Sequence, residues 1–294
     1  MTSSASRLLM LGLRGSGKTT YLAALWHYLE SAERSDRLEI PHLQPDRDYL
    51  NAIRDSWLSL NRVARTTLRA GATVTMELRD KISDTSIELS IPDLSGEVYR
   101  LQWATRKAPV SYVNLVQNCT GAFLFIHPEE VRKTHTLNPL DGETADLAEP
   151  EDKLQPRIEP NLTWTPLQAS TQVQLVDIVQ LLMYLRQRAG DMRLAVIISA
   201  WDLVKARISP VGWLESRLPL LSQFLRSNQD HIKSQVFGVS AQGGDLERDR
   251  ASLLQHRFPS ERSRGVMGDM IEEVPITGPL EFLLNLRDAE RPAA

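Results

Sequence analysis

The sequence predicts an α/β fold, a doubly wound and mostly parallel sheet with helices on both faces. Three observations carry this. Strand-like and helix-like segments alternate along the chain. Two continuous apolar runs, Gly121–His127 and Leu194–Ala200, suit strands buried on both faces, as parallel strands are. A glycine-rich turn joins the first strand directly to the first helix.

Arg7–Gly12 is a short apolar strand. Lys18–Ala32 follows as a helix with Leu22, Leu25, Trp26 and Leu29 on one face. Asp46–Asn61 is a second helix, aligning Leu50, Ile53, Trp57 and Leu60. Thr73–Arg79 alternates Val74, Met76 and Leu78 with polar residues, which predicts a half-exposed strand at or near an edge. Ser86–Pro92 carries Ile87, Leu89 and Ile91, and the polar stretch Asp80–Thr85 between these strands reads as a hairpin turn. Gln235–Val239 is a last, shorter strand. Helices are expected at Ser170–Arg188, Gly212–Asn228 and Pro279–Arg287, the last packing to close the domain.

At 294 residues and 42% hydrophobic, the chain can bury an ordinary core, and it reads as one domain over residues 1–294. Pro128–Pro160 departs from this pattern, with nine acidic residues against four basic, five prolines and almost no apolar periodicity. It reads as a mobile, solvated acidic insertion, not a second domain. The net charge of −3 shows none of the basic surplus that phosphate contacts demand, so no nucleic-acid partner is expected. No apolar run approaches the ~20 residues of a membrane span. Met1–Arg7 does not read as a signal peptide. A single cysteine, Cys119, excludes an internal disulfide and fits a reducing compartment, so a cytoplasmic location is expected.

The chemistry starts in the first turn. Gly12-Leu-Arg-Gly-Ser-Gly-Lys-Thr19 fits G-x-x-x-x-G-K-[ST] in full. Glycines let successive backbone N–H groups approach phosphate oxygens with no Cβ in the way. Lys18 supplies a point charge between the outer phosphates, Thr19 offers a hydroxyl to Mg²⁺, and the helix dipole points at the same anion. Gly12, Arg14, Gly15, Ser16, Gly17, Lys18, Thr19 and Thr20 are the candidate phosphate-binding residues.

Three further strings follow strands. Ser86–Pro92 runs into Asp93-Leu-Ser-Gly96-Glu97, where Asp93 can hold Mg²⁺ through water and Gly96 can present its N–H to a γ-phosphate. Leu194–Ala200 runs into Trp201 and Asp202, and a strand-end carboxylate there can accept from the N1 and N2 donors of guanine. Val239 runs into Ser240, Ala241, Gln242 and Gly243, a turn able to present a backbone N–H to a purine O6.

In order, these four boxes resemble those of translation-factor-related and Ras-like P-loop GTPases. More narrowly, Trp57 with Arg65-Thr66, the Cys119-Thr-Gly-Ala strand start and the terminal Thr277-Gly-Pro-Leu-Glu-Phe-Leu-Leu resemble the double-GTPase-type domains of bacterial conflict and defence operons. The resemblance implies a six-stranded sheet, GTP/GDP with Mg²⁺ as ligands, and a nucleotide-controlled switch encoded beside partners that resemble GTPase-activating proteins. It implies a switch threonine over Mg²⁺, for which Thr66 and Thr67 are candidates, with Arg65 beside them.

The departures are specific. The fourth box reads Ser199-Ala200-Trp201-Asp202 instead of N-K-x-D, so Ala200 replaces the lysine stem that lies over the base, and Trp201 could offer an aromatic face instead. Glu97 stands where relatives carry a water-positioning glutamine or histidine. Arg14 could stabilise phosphate charge in cis or point to solvent, the reading we favour. Lys18, Glu97 and Arg14 are therefore the candidates for hydrolysis. Slow hydrolysis is expected, rising when a partner donates an arginine or orders Glu97–Pro109. An ATPase or phosphotransferase, or a nucleotide-dependent module that never turns over, are the alternatives.

Competing sites fare worse. His27, His42, His127, His135, His231 and His256 lack zinc-hydrolase spacing, and His127 reads as a strand cap. Ser95 and Ser240 lack a G-x-S-x-G context. The arginine-rich Arg248–Arg264 reads as a solvated loop.

Overall fold

Strand β1 (Ser6–Gly12) leads through the phosphate loop into helix α1 (Lys18–Glu30), followed by β2 (Leu38–Glu39), α2 (Arg47–Leu58), β3 (Val74–Asp80) and β4 (Thr85–Ile91). Next come α3 (Glu97–Thr105), α4 (Val110–Asn118), β5 (Gly121–Ile126), α5 (Thr171–Leu185), β6 (Met192–Ser199), α6 (Pro210–Arg217) and α7 (Pro219–Ser227). The chain ends with β7 (Ile232–Ser240), α8 (Arg250–Leu253), β8 (Arg264–Met267), β9 (Glu272–Val274) and α9 (Gly278–Leu283). This computed structural model describes residues 5–31, 37–61, 73–92, 97–132, 166–186, 192–204, 207–255, 258–269 and 271–286.

Among the described residues nine strands form one sheet in the order β2-β3-β4-β1-β5-β6-β7-β8-β9. β4, β1, β5, β6 and β7 run parallel, and β3 joins β4 antiparallel in the register Met76↔Leu89. These six strands are the sheet the sequence implied. Short antiparallel strands extend it, β2 beyond β3 and β8 and β9 beyond β7.

The central strands show why continuous apolar runs were needed. Alternate side chains enter opposite faces, so Leu8, Met10, Phe123, Phe125, Ala195 and Ile197 pack on one side with α1, α2 and α9. Leu9, Leu11, Leu124, Ile126, Val196 and Ile198 pack on the other with α4 to α7. Each such Leu, Ile or Phe contributes roughly 1.5–3 kcal/mol of apolar burial, so a polar residue within Ala122–Ile126 or Leu194–Ile198 would disturb one face. Among the described residues no helix is long and apolar enough to cross a membrane.

Several expectations need correction. Gly212–Asn228 is two helices, because Pro219 lacks an N–H and pushes Leu218 (φ −137°, ψ 57°) out of helical geometry. Residues 97–105 form α3, a helix the sequence did not announce. Arg248–Arg264 is not simply solvated: it holds α8 and a 3₁₀ turn at Pro259–Arg262, and Arg262 is only 3% exposed. Of the acidic segment, Pro128–Glu130 form a 3₁₀ turn, whereas 133–160 lie outside the described residues.

The β3–β4 turn is organised by a buried carboxylate. Arg37 donates to both oxygens of Asp80 at 2.7 and 2.8 Å. Ser83 Oγ and the Ile82 N–H donate to it at 2.6 and 3.1 Å. The Arg37 guanidinium, followed by the Ser83 and Ile82 bonds, holds the Asp80 carboxyl below its usual range despite burial. The unfolded chain therefore binds the proton more readily. The stabilisation is fully present above the ordinary carboxylate pKa and is lost progressively as pH falls from there through the lowered pKa of the folded state. Asp80→Asn is expected to cost on the order of 2 kcal/mol at neutral pH. In urea unfolding the gap between wild type and variant should narrow steadily as pH falls below about 4; a constant difference across pH would contradict this.

Candidate nucleotide-binding site

The chain leaves β1 for one side of the sheet, toward β4, and later returns to the other side at β5. The carboxyl ends of the strands diverge there, which is where doubly wound sheets bind ligands. The phosphate loop sits at that point. Gly12 (φ +147°) and Gly17 (φ +90°) adopt backbone angles that side chains rarely reach. A Cβ on Gly12 would lie 2.7 Å from the Phe125 carbonyl, and one on Gly17 would lie 2.7 Å from Ser199. Glycine is thus required for the turn and for its approach to β5 and β6.

Lys18 is 2% exposed. Its ammonium donates to the Gly12 carbonyl at 2.7 Å, the Leu13 carbonyl at 3.1 Å and Ser16 Oγ at 3.3 Å. The cation is therefore held inside the loop, directed by the carbonyls it bonds. Thr19 and Thr20 are half-buried in the first turn of α1, and Arg14 and Gly15 are exposed at the loop tip. Glu130 packs beside that tip, its Oε1 3.4 Å from where a Gly15 Cβ would stand.

A cleft of about 450 Å³ runs from this loop to the ends of β6 and β7. Its walls include Gly15, Gly17 and Thr20 from the phosphate loop, Ala200 and Asp202 after β6, and Ala241 after β7. The structure thus brings together residues from three of the four sequence boxes. Arg14 is not among the lining residues. Asp93, Gly96, Thr66 and Thr67 lie outside the described residues, and Glu97 opens α3.

Asp202 sits in a 3₁₀ turn, Trp201–Leu203, that begins after Ala200 (φ 46°, ψ 47°), a left-handed conformation that an alanine adopts at a cost. Ser240 Oγ donates to Asp202 Oδ1 and accepts from the Gly243 N–H at 3.1 Å. Ser240 therefore orients the carboxylate and does not itself line the cleft. Trp201 does not take the place of the absent lysine. Its ring lies against Gly238, where a Cβ would stand 2.3 Å from Cδ2, and it packs with the apolar cluster under α4 to α7.

Further lining residues carried no sequence signal for this role: Asn61, Asp245 and Leu246. His127 also lines the cleft, and its Nδ1 accepts from the Glu129 N–H at 3.3 Å, the capping role its position suggested. Tyr21 reaches the cleft wall while its hydroxyl donates to the Ile276 carbonyl at 3.0 Å. Burial, with the Glu281 carboxylate, pushes its pKa up, so it remains a donor.

Mg²⁺ is a hard cation that takes oxygen ligands and phosphate oxygens. The hydroxyl of Thr19 fits that donor set. β4 lies parallel to β1 in the register Leu9↔Ser90, so the chain leaves β4 on the phosphate-loop edge of the sheet.

Among curated proteins no relative matches. The solved structures similar to this chain include the signal recognition particle receptor SRb-GTP/SRX complex from Chaetomium thermophilum, at 12% identity and TM-score 0.39, covering 81% of this chain and 91% of that one. They also include the S. cerevisiae Ski7 GTPase-like domain bound to GTP, at 14% identity and TM-score 0.45, covering 99% of this chain and 51% of that one. The family profile of Double-GTPase 1 matches residues 9–283, from inside β1 to the last residue of α9. That span takes in every strand-end loop that builds the cleft, and the chain belongs to the Double-GTPase 1 family.

Proposed function

We propose that this chain is a GTP-binding switch that hydrolyses GTP slowly and is controlled by a partner protein. One observation carries the reading: a single cleft joins a phosphate loop to an aspartate and a Ser-Ala turn at the ends of β6 and β7. Family membership supports guanine nucleotide as the ligand. The apolar clusters on the two faces share one sheet, which supports action as one domain. A cytoplasmic setting, and a role in a bacterial conflict system, extend the proposal on the family resemblance.

The residues divide the work. Lys18, already inside the loop, meets the outer phosphates. The Gly12–Thr19 backbone fixes their position, and Thr19, Asp93 and Thr66 are the proposed Mg²⁺ ligands. When bound by them, Mg²⁺ would neutralise charge on the phosphates. Hydrolysis adds water to the γ-phosphorus and breaks its bond to the bridging oxygen, releasing GDP and inorganic phosphate.

Positioning water and stabilising spread charge set that rate. Glu97 repels charge at the place where glutamine would orient water, and Arg14 is exposed. Single turnover of GTP with excess protein and Mg²⁺ is expected well below about one per second. It should accelerate with a partner that supplies an arginine. Fast turnover by the isolated chain would contradict a switch, and loss of that rate in Arg14→Ala would make Arg14 the charge-stabilising group.

A further inference from the structure

Trp57, in the last turn of α2, is fully buried, yet its indole N–H donates to the Ala241 carbonyl at 3.0 Å. Ser263 Oγ donates to the same carbonyl at 2.9 Å. Two donors on one oxygen fix the Ala241–Gln242 peptide. A trans peptide directs its N–H opposite its carbonyl, so the Gln242 N–H is turned away from Trp57 and Ser263. Ala241 and Gln242 line the nucleotide cleft, whereas Trp57 and Ser263 do not. The Gln242 side-chain Nε2 is also buried with no hydrogen-bond partner among the described residues. Buried donors are normally satisfied, so this loop has donor capacity for an acceptor that the chain does not provide.

We propose that the end of α2 belongs to the base-reading apparatus: Trp57 and Ser263 are positioning residues that set the Ala241–Gln242 donors to read a purine carrying a 6-oxygen. The proposal deepens the guanine reading above and rests on it. Guanine presents an acceptor at that position, where adenine presents an amino donor. The support behind Trp57 is built to hold it. The Arg262 guanidinium lies 4.3 Å from the Trp57 ring centroid and His27 packs at 5.3 Å. Arg250 donates to the Leu60 and Ser59 carbonyls at 2.8 and 3.1 Å, tying the chain after α2 to α8. Asn61, next in the chain, is thereby kept at the cleft wall.

The test uses the full chain, Trp57→Phe and Ser263→Ala, with four probes. These are GTP, 2-aminopurine riboside triphosphate (no 6-oxygen and no N1 proton), ITP (no 2-amino group) and tripolyphosphate. Wild type is expected to bind GTP at least about tenfold tighter than the 2-aminopurine nucleotide, which lacks both the 6-oxygen and the N1 donor to Asp202. Each variant should lose about three- to tenfold in GTP affinity, with the 2-aminopurine nucleotide and tripolyphosphate unchanged. The 6-oxygen preference then collapses while the GTP-to-ITP ratio, set at Asp202, persists. A preference retained in both variants overturns the proposal. So does equal loss on all four probes in Trp57→Phe with Ser263→Ala behaving as wild type, because that marks Trp57 as merely structural. A wild type indifferent to the 6-oxygen overturns the guanine reading itself.

Discussion

Lys18→Ala is expected to lower GTP affinity by on the order of a hundred- to a thousandfold. Each charge-assisted hydrogen bond to phosphate contributes about 1.5–3 kcal/mol, and this ammonium is placed to make more than one. It is 2% exposed and its direction is set by the Gly12 and Leu13 carbonyls, so little ordering remains to be done when phosphate arrives. The fold should survive, because the sheet and both apolar clusters are untouched. Thermal melting separates these effects. At a hundred times Kd, GTP should add about 2.7 kcal/mol to wild type. At the same concentration it should add little to the variant, whose melting without nucleotide changes less. A variant that keeps its affinity would remove the phosphate-loop assignment.

What could be read from the sequence follows the range of each interaction. β5 and β6 were legible because both faces of each are buried, leaving unbroken apolar runs at Ala122–Ile126 and Leu194–Ile198. β3 was legible because one face is polar. β2, with two residues, and β9, with three, have no period to read; they exist only because β3 and β8 offer an edge. The break between α6 and α7 was hidden because apolar residues continue across it, with Trp213 and Leu214 before Pro219 and Leu221 and Leu225 after. α4 buries too few residues to make a stripe: Tyr112 and Val116 are its two buried residues.

The site divides in the same way. The phosphate loop is local, so eight consecutive residues declare it. Asp202 and Ala241 could be placed because each follows a buried strand. Trp201 could not be oriented from its own neighbours. Gly238, on β7, decides it by leaving room for the ring. The bond from Trp57 to Ala241 spans 184 positions, and nothing near either residue announces it.

Asp202→Asn is expected to reverse the base preference, and Ser240 determines how completely. Asp202 Oδ1 accepts from Ser240 Oγ, which in turn accepts from the Gly243 N–H. In the asparagine variant that arrangement favours the amide carbonyl toward Ser240, which turns the amide nitrogen toward the base. A donor then stands where the carboxylate accepted. Guanine, with donors at N1 and N2, should lose about 2–3 kcal/mol, or about 30- to 150-fold. Xanthine carries an oxygen at the second position and should bind the variant better than guanine does. Tripolyphosphate affinity should not move, since the phosphate loop is separate. Competition among GTP, XTP and ATP measures all of this in one titration. A wild type that prefers ATP, or a variant with no gain for XTP, would remove Asp202 from base recognition and favour an ATPase on the same loop. Ser240→Ala in the asparagine background adds an internal check: with the hydroxyl gone the amide can rotate, and the selectivity for XTP over GTP should shrink.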